Sequence, residues 1–254
     1  MMAVPLFPDK TDHPGLFSPE DFLNYHYRGD RTFPDRYIII FDPGLLKRVR
    51  KSLDLRQLDP VIPGAALYTC GSAGIAAMKG VGAPHAAAAL EELISLGGER
   101  FVICGTAGGL QSRGVFLCEK ALRDEGTSYH YLPAQRFALP DAGLTQQLGA
   151  GLRRAGISFR SAASWTTDAP YRETRPEIEH YRQEGIATVE MESAALFSVA
   201  AFRQVAIAAV FVVSDLLSTD WEPEFHHKDI KTGLDTLFSA VLETLNGPQS
   251  SRKS

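Results

Sequence analysis

The chain has 254 residues, 26 of them basic and 30 acidic, for a net charge of −4 with histidine neutral. That length is ample for one large core, and Lys and Arg are not massed into blocks that would track a phosphate backbone, which argues against nucleic acid or an anionic membrane as partner. No apolar run approaches the roughly 20 residues that span a bilayer, residues 1–15 lack the apolar centre of a signal peptide, and three cysteines without metal-ligand spacing (Cys70, Cys104, Cys118) fit a reduced cytoplasm.

In chain order, short apolar or β-branched runs bounded by Gly, Pro or polar residues predict strands at Tyr37–Asp42, Ala65–Cys70 and Ile75–Lys79. Apolar residues at helical spacing then predict a helix over His85–Leu96, closed by Gly97. Strands follow at Phe101–Cys104 and Val115–Leu117, a helix at Leu144–Ala155 closed by Gly156, and a strand at Phe159–Trp165. A helix at Pro176–Glu184, closed by Gly185, precedes a short strand around Thr188–Met191 and a helix over Ser193–Phe202. The run Val205–Ser214 reads as a central strand, and Lys231–Leu245 as the last helix, closed by Gly247. Residues 249–254 are polar and charged without an apolar anchor and read as a frayed tail. The alternation implies α/β architecture: three layers, with a mixed or mostly parallel sheet between helices, in a single domain over residues 1–254 whose core spans about 35–245.

Three segments fall where such sheets bind ligands, beyond the carboxyl ends of strands. Gly105-Thr106-Ala107-Gly108-Gly109 reads as a turn leaving the strand at Phe101–Cys104, with backbone N–H groups and the Thr106 hydroxyl able to approach an anion. Glu190-Met191-Glu192 puts two carboxylates where an apolar helix begins. Such charges are costly to bury without partners, and a hydroxyl-rich ligand would supply them; capping of the helix is the competing account. Ser214-Asp215 emerges from the central strand, where a carboxyl in a partly apolar pocket suits general-acid work.

Together these motifs resemble the nucleoside phosphorylase/nucleosidase superfamily, whose members break the bond between a nucleobase and its ribose. The resemblance covers most of residues 35–245 and implies the nucleoside phosphorylase fold, with a partly barrel-like sheet. It implies that Glu192 accepts the ribose hydroxyls, that Met191 packs on the sugar and that Glu190 lies beside them. It makes Asp215, with Ser214, the group at the base, partnered by Lys228 where relatives have arginine. It assigns Gly105, Thr106 and Ala107 to phosphate or water, with His85 near a helix start as a further contact. Trp165 and Tyr171 become the aromatic candidates at the base, and His26 the histidine that a neighbouring copy donates to ribose. Arg123-Asp124-Glu125-Gly126-Thr127-Ser128-Tyr129-His130 is similar to a stretch of the uridine branch.

The chain departs from that pattern at the phosphate. Ile103 stands where phosphorylases carry arginine, and Phe41-Asp42-Pro43-Gly44-Leu45 replaces a Gly-Asp-Pro-x-Arg element; Arg36, Lys47, Arg48 and Arg50 are the remaining sources of nearby charge. The resemblance implies phosphorolysis of a nucleoside to free base and ribose 1-phosphate, with inorganic phosphate as co-substrate, no metal or organic cofactor, and assembly as a dimer or hexamer. The alternatives are a hydrolytic nucleosidase using water and a nucleoside-binding protein without catalysis.

Overall fold

The computed structural model describes residues 7, 10–27, 32–218 and 220–247; the tail read at 249–254 lies outside them. The first strand, β1 (Arg36–Ile40), is preceded by a helix the sequence did not announce, α1 (Pro19–His26). A capping box starts α1: the Ser18 hydroxyl accepts from Asp21 N–H, and the Asp21 carboxylate accepts from Ser18 N–H. After β1 come α2 (Pro43–Ser52), β2 (Arg56–Gln57), β3 (Ala65–Cys70), β4 (Ala73–Met78) and α3 (Ala83–Ser95). The chain continues through β5 (Arg100–Gly109), β6 (Val115–Asp124), β7 (Phe137–Ala138), α4 (Ala142–Arg154) and β8 (Phe159–Thr167). It ends with α5 (Arg175–Gln183), β9 (Ile186–Glu190), α6 (Ser193–Arg203), β10 (Ala206–Leu217), β11 (Trp221–Pro223) and α7 (Lys228–Asn246).

The strands form one mixed sheet in the order β11-β10-β6-β8-β9-β5-β1-β4-β3-β2, and β10 also pairs with β5. That extra pairing closes β10, β6, β8, β9 and β5 into a five-stranded barrel, as the expected partly barrel-like sheet requires. Closure is possible because β5 and β10 are long enough to serve two sheets. The first half of β5 lies between β1 and β10, while Gly108 and Gly109 at its far end pair with Val189 and Thr188 of β9.

Alternation along the strands sets the layers. Tyr37, Ile39, Phe101, Ile103, Ile207 and Phe211 face α1, α3 and α6. Their neighbours Ile38, Ile40, Val102, Cys104, Ala208 and Val210 face α2, α4 and α7. Both faces are covered, so these strands read as continuous apolar runs. Gly97, Gly156 and Gly185 end α3, α4 and α5 with positive φ, as the sequence suggested; Gln204 does so after α6 at φ 59°, and Gly247 does not.

Two expectations are corrected. Gly105–Gly109 is not a turn but the second half of β5, hydrogen-bonded in the ladder to β10. Glycine is needed there for packing: a Cβ at Gly108 would lie 2.6 Å from Leu217 Cδ1 and 2.9 Å from Val189 Cγ1. Ser214-Asp215 likewise lies within β10 rather than beyond it, at a register shift between Val213 and Asp215. A bulge of this kind re-aims side chains next to a site.

Candidate active site

A cavity of about 830 Å³ opens where β1, β5, β9 and β10 end and α6 begins. It lies within the range of small-molecule sites, roughly 300–1,000 Å³. Gly105, Thr106, Ala107, Glu190, Met191, Glu192, Ser214, Asp215 and Tyr171 all line it, so residues from three separated motifs share one space.

The Glu190-Met191-Glu192 segment divides its labour. Glu190 is fully buried, and its Oε2 accepts from the backbone N–H groups of Glu192 at 2.8 Å and Ser193 at 2.7 Å. Its Oε1 accepts from the Thr166 hydroxyl at 2.5 Å, and Thr166 Oγ1 in turn accepts from Ala194 N–H at 3.0 Å. Glu190 thereby caps α6. Glu192 occupies the N-cap position of the backbone, yet its side chain makes no capping bond. Its Oε1 instead accepts from Gly82 N–H at 2.6 Å. Burial, and then the neighbouring Glu190 charge, pushes the Glu192 carboxyl up to about 8. Burial raises Glu190 as well, against the hydrogen bonds it accepts.

At the other motif, Asp215 Oδ2 accepts from the Trp221 indole N–H at 2.9 Å and Oδ1 from the Ser214 hydroxyl at 3.0 Å. Trp221 belongs to β11, which pairs back on β10 and is held by Arg113 through Glu222 and Glu224 at 2.9 and 2.7 Å. Glu173 also lines the cavity, and burial, with the Asp215 and Glu177 charges adding, pushes its carboxyl up to about 7. Sequence reasoning passed over Glu173, because a lone carboxylate in an irregular segment carries no periodic or spacing signal. Trp221 was legible only as part of a polar, aromatic loop.

Other expected residues lie elsewhere. Trp165 is buried in the core, its indole donating to Asp124 at 2.9 Å and its ring 4.8 Å from that of Tyr181, so it does not line the cavity. Lys228 is the exposed first residue of α7, off the cavity wall; the donors to Asp215 are Trp221 and Ser214. His85 sits in the first turn of α3, its ring beside Gly64 and Gly80, and its Nε2 is buried without a hydrogen bond. His26 ends α1 against Phe22 and Tyr25, away from this cavity. Arg123 is buried and serves its own loop, donating to Ser128 Oγ and to the carbonyls of Leu132 and Pro133.

The candidate phosphate cations are committed elsewhere too. Arg36 pairs with Asp35 and donates to Leu245 O, and Arg50 lies over the Tyr68 ring; Arg48 pairs with Asp235, while its Nη2, buried without a hydrogen bond, lies 3.7 Å from the Asp42 carboxylate of the cavity wall. Among the described residues, Arg175 is the one cation lining the cavity, against the carboxyl groups of Asp42, Glu173, Glu190, Glu192, Asp215 and Asp220. Arg175 itself pairs with Asp220 at 3.1 Å. No group of three His, Cys, Asp or Glu side chains among the described residues is placed to hold a metal ion. No described helix is long and apolar enough to cross a membrane.

A partly closed sheet, helices on both faces and an acidic cavity at the strand ends define an α/β protein whose cavity is of small-molecule size. Residues 35–246 match the family model of the phosphorylase superfamily, and the chain belongs to that family. A guanosine phosphorylase of Halorubrum lacusprofundi is 27% identical over 190 residues, which are 69% of this chain and 76% of that one. A uridine phosphorylase of Treponema pallidum is 33% identical over 149 residues, 53% of this chain and 58% of that one, so the match spans little more than half of this relative. Among solved structures, an AMP nucleosidase of Bacteroides thetaiotaomicron superposes with a TM-score of 0.73 at 19% identity, covering 92% of this chain and 100% of that chain.

Proposed function

We propose that this chain cleaves the N-glycosidic bond of a nucleoside by phosphorolysis, releasing the base and ribose 1-phosphate. The observation that carries the reading is that Glu192 and Met191 share one cavity with Asp215 and Thr106. Breaking an N-glycosidic bond passes through an oxocarbenium-like sugar, which an anion and tightened hydroxyl contacts stabilise. Glu192, spared from capping, is the acceptor for the ribose hydroxyls, and Met191 packs on the sugar. Ser214 and Asp215 face the base, with Tyr171 at the mouth. Gly105, Thr106 and Ala107 face phosphate, with no cofactor entering the scheme. The phosphorylase names of the relatives support phosphate as acceptor. Its missing cations would come from a second copy of the chain, which would also bring His26.

Hydrolysis is the second reading, favoured by Arg175 being the single cation on the cavity wall among the described residues. Incubation with inosine, guanosine, adenosine and uridine, with and without inorganic phosphate, tests both. Base release only with phosphate supports phosphorolysis, and release without it supports the nucleosidase. Nucleoside binding without any release would overturn both in favour of a binding protein.

A further inference from the structure

The mechanism needs a proton for the departing base, and the geometry around Asp215 bears on where that proton resides. Each Asp215 oxygen already accepts a hydrogen bond, one from Trp221 and one from Ser214. Both donors stay in place only while those oxygens act as acceptors. Glu173 faces the same cavity, half-buried. Among the described residues its carboxyl takes part in no hydrogen bond, and only burial and the Asp215 and Glu177 charges act on it. Of the two cations nearby in sequence, Arg172 is exposed and off the cavity wall, and Arg175 pairs with Asp220 at 3.1 Å.

Resting on the proposed nucleoside cleavage, we propose that Glu173 is the acid that protonates the leaving base, with Asp215 held by its two donors on the wall of the same cavity. Carboxyl groups crowded on one cavity wall do not all ionise freely, and Glu173 is one of those that burial and its neighbours push up. The Asp215 oxygens are occupied by two donors, whereas the Glu173 carboxyl faces the cavity with no hydrogen bond among the described residues, which makes it the group placed to pass a proton to a bound base. As the C1′–N bond breaks, its electron pair passes to the base, and the Glu173 proton moves to a ring-nitrogen lone pair of that base. Phosphate or water bonds to C1′. Glu173, left as carboxylate, regains a proton from solvent as the neutral base departs. The class of base suited to this arrangement offers a lone pair on a second ring nitrogen, as the imidazole ring of a purine does at N7.

Of the charged groups around it, Asp215 on β10 and Glu177 on α5 raise it, Arg172 precedes it in the chain, and Arg175 pairs with Asp220 in a solvent-exposed contact. Glu173→Gln keeps the shape and removes the acid. With inosine or guanosine as substrate, kcat should fall by about 100-fold or more, the usual worth of a general acid. With 4-nitrophenyl β-D-ribofuranoside, whose aglycone departs without protonation, the variant should stay within about three-fold of wild type. Wild-type nucleoside cleavage should contain a component that is lost as pH rises through about 7, and that component should be absent from Glu173→Gln. Nucleoside cleavage within a few-fold of wild type would overturn the assignment, as would an equal loss on both substrates. If wild-type protein releases base from no nucleoside, the underlying reading falls and this one with it; if it does and Glu173→Gln costs little, only the role of Glu173 falls.

Discussion

The Glu190 carboxylate accepts a hydrogen bond from the backbone N–H of Glu192 at 2.8 Å, so one glutamate of the motif builds the helix start from which the other is freed. A helix N-terminus needs an acceptor for its first N–H groups. Because Glu190 supplies it from the preceding strand, the side chain at the N-cap position has no capping duty and lines the cavity.

Removing that cap should cost stability and displace Glu192 together. Glu190→Ala leaves two helical N–H groups and the Thr166 hydroxyl unpaired and should destabilise by about 2–4 kcal/mol, read by urea unfolding. Thr166→Val removes the outer half of the same network and should cost about 1–2 kcal/mol. A stability unchanged in both would mean that α6 starts without this cap.

The Glu192 carboxyl makes stability fall as pH rises. It titrates near 4.5 unfolded and at about 8 in the fold. The fold therefore binds a proton that the unfolded chain has lost, and stability is given up progressively between those values. Glu192→Gln, which keeps an oxygen for Gly82 N–H, should raise Tm relative to wild type by an amount small at pH 5 and largest above pH 8. Above pH 8, where the carboxyl is ionised, it should also cut nucleoside cleavage by about 100-fold or more, since the amide cannot serve as the anion at the sugar. A pH-independent Tm difference would show that this carboxyl does not titrate in that window.

Two glycines of β5 should respond oppositely to alanine. A Cβ at Gly105 meets nothing within 4 Å, whereas one at Gly108 would meet Leu217 and Val189 side chains below 3.0 Å. Gly108→Ala should lose about 1–3 kcal/mol by overpacking. Gly105→Ala should melt like wild type while weakening substrate binding, because its methyl group enters the cavity. Calorimetric melts and KM values distinguish the two, and a destabilised Gly105→Ala would contradict the open space over that residue.

Trp221 tests the arrangement at Asp215. Its indole is the donor to Oδ2, yet the residue is 63% exposed and contributes little to the core. Trp221→Phe should leave Tm within a degree or two and lower kcat/KM for nucleosides by roughly ten-fold, the scale of one hydrogen bond to a charged group. A full-rate variant would show that the indole does not set the orientation of Asp215.

Much of this was legible in the chain itself. Period-two and unbroken apolar runs marked the strands around Tyr37, Ala65, Ile75, Phe101 and Val205, since a sheet covered on both faces buries every side chain. Helical spacing with glycine stops marked α3, α4 and α5. Helix α1 was not legible, being short and mostly exposed with only Leu23 buried, and so without an apolar stripe. The glycines of β5 were misread as a turn, because the local preference of glycine for turns was overridden by packing against β10 and β9.

What the sequence by itself determined is the set of elements and the family, together with the three motifs that line the cavity. Those rest on local pattern: apolar periodicity, and residue types adjacent in the chain. Tertiary structure alone decided which carboxylate does what. Glu190 and Glu192 are two residues apart and alike in composition, yet one is spent on helix N–H groups and the other on the cavity. Glu173 shares a cavity with Asp215, and Trp221 stands at that aspartate in place of Lys228, only because β10, β11 and the segment before α5 converge on one space. Lone carboxylates and indoles carry no periodicity, and their chemistry is set by which donors and charges the fold brings within a few ångströms.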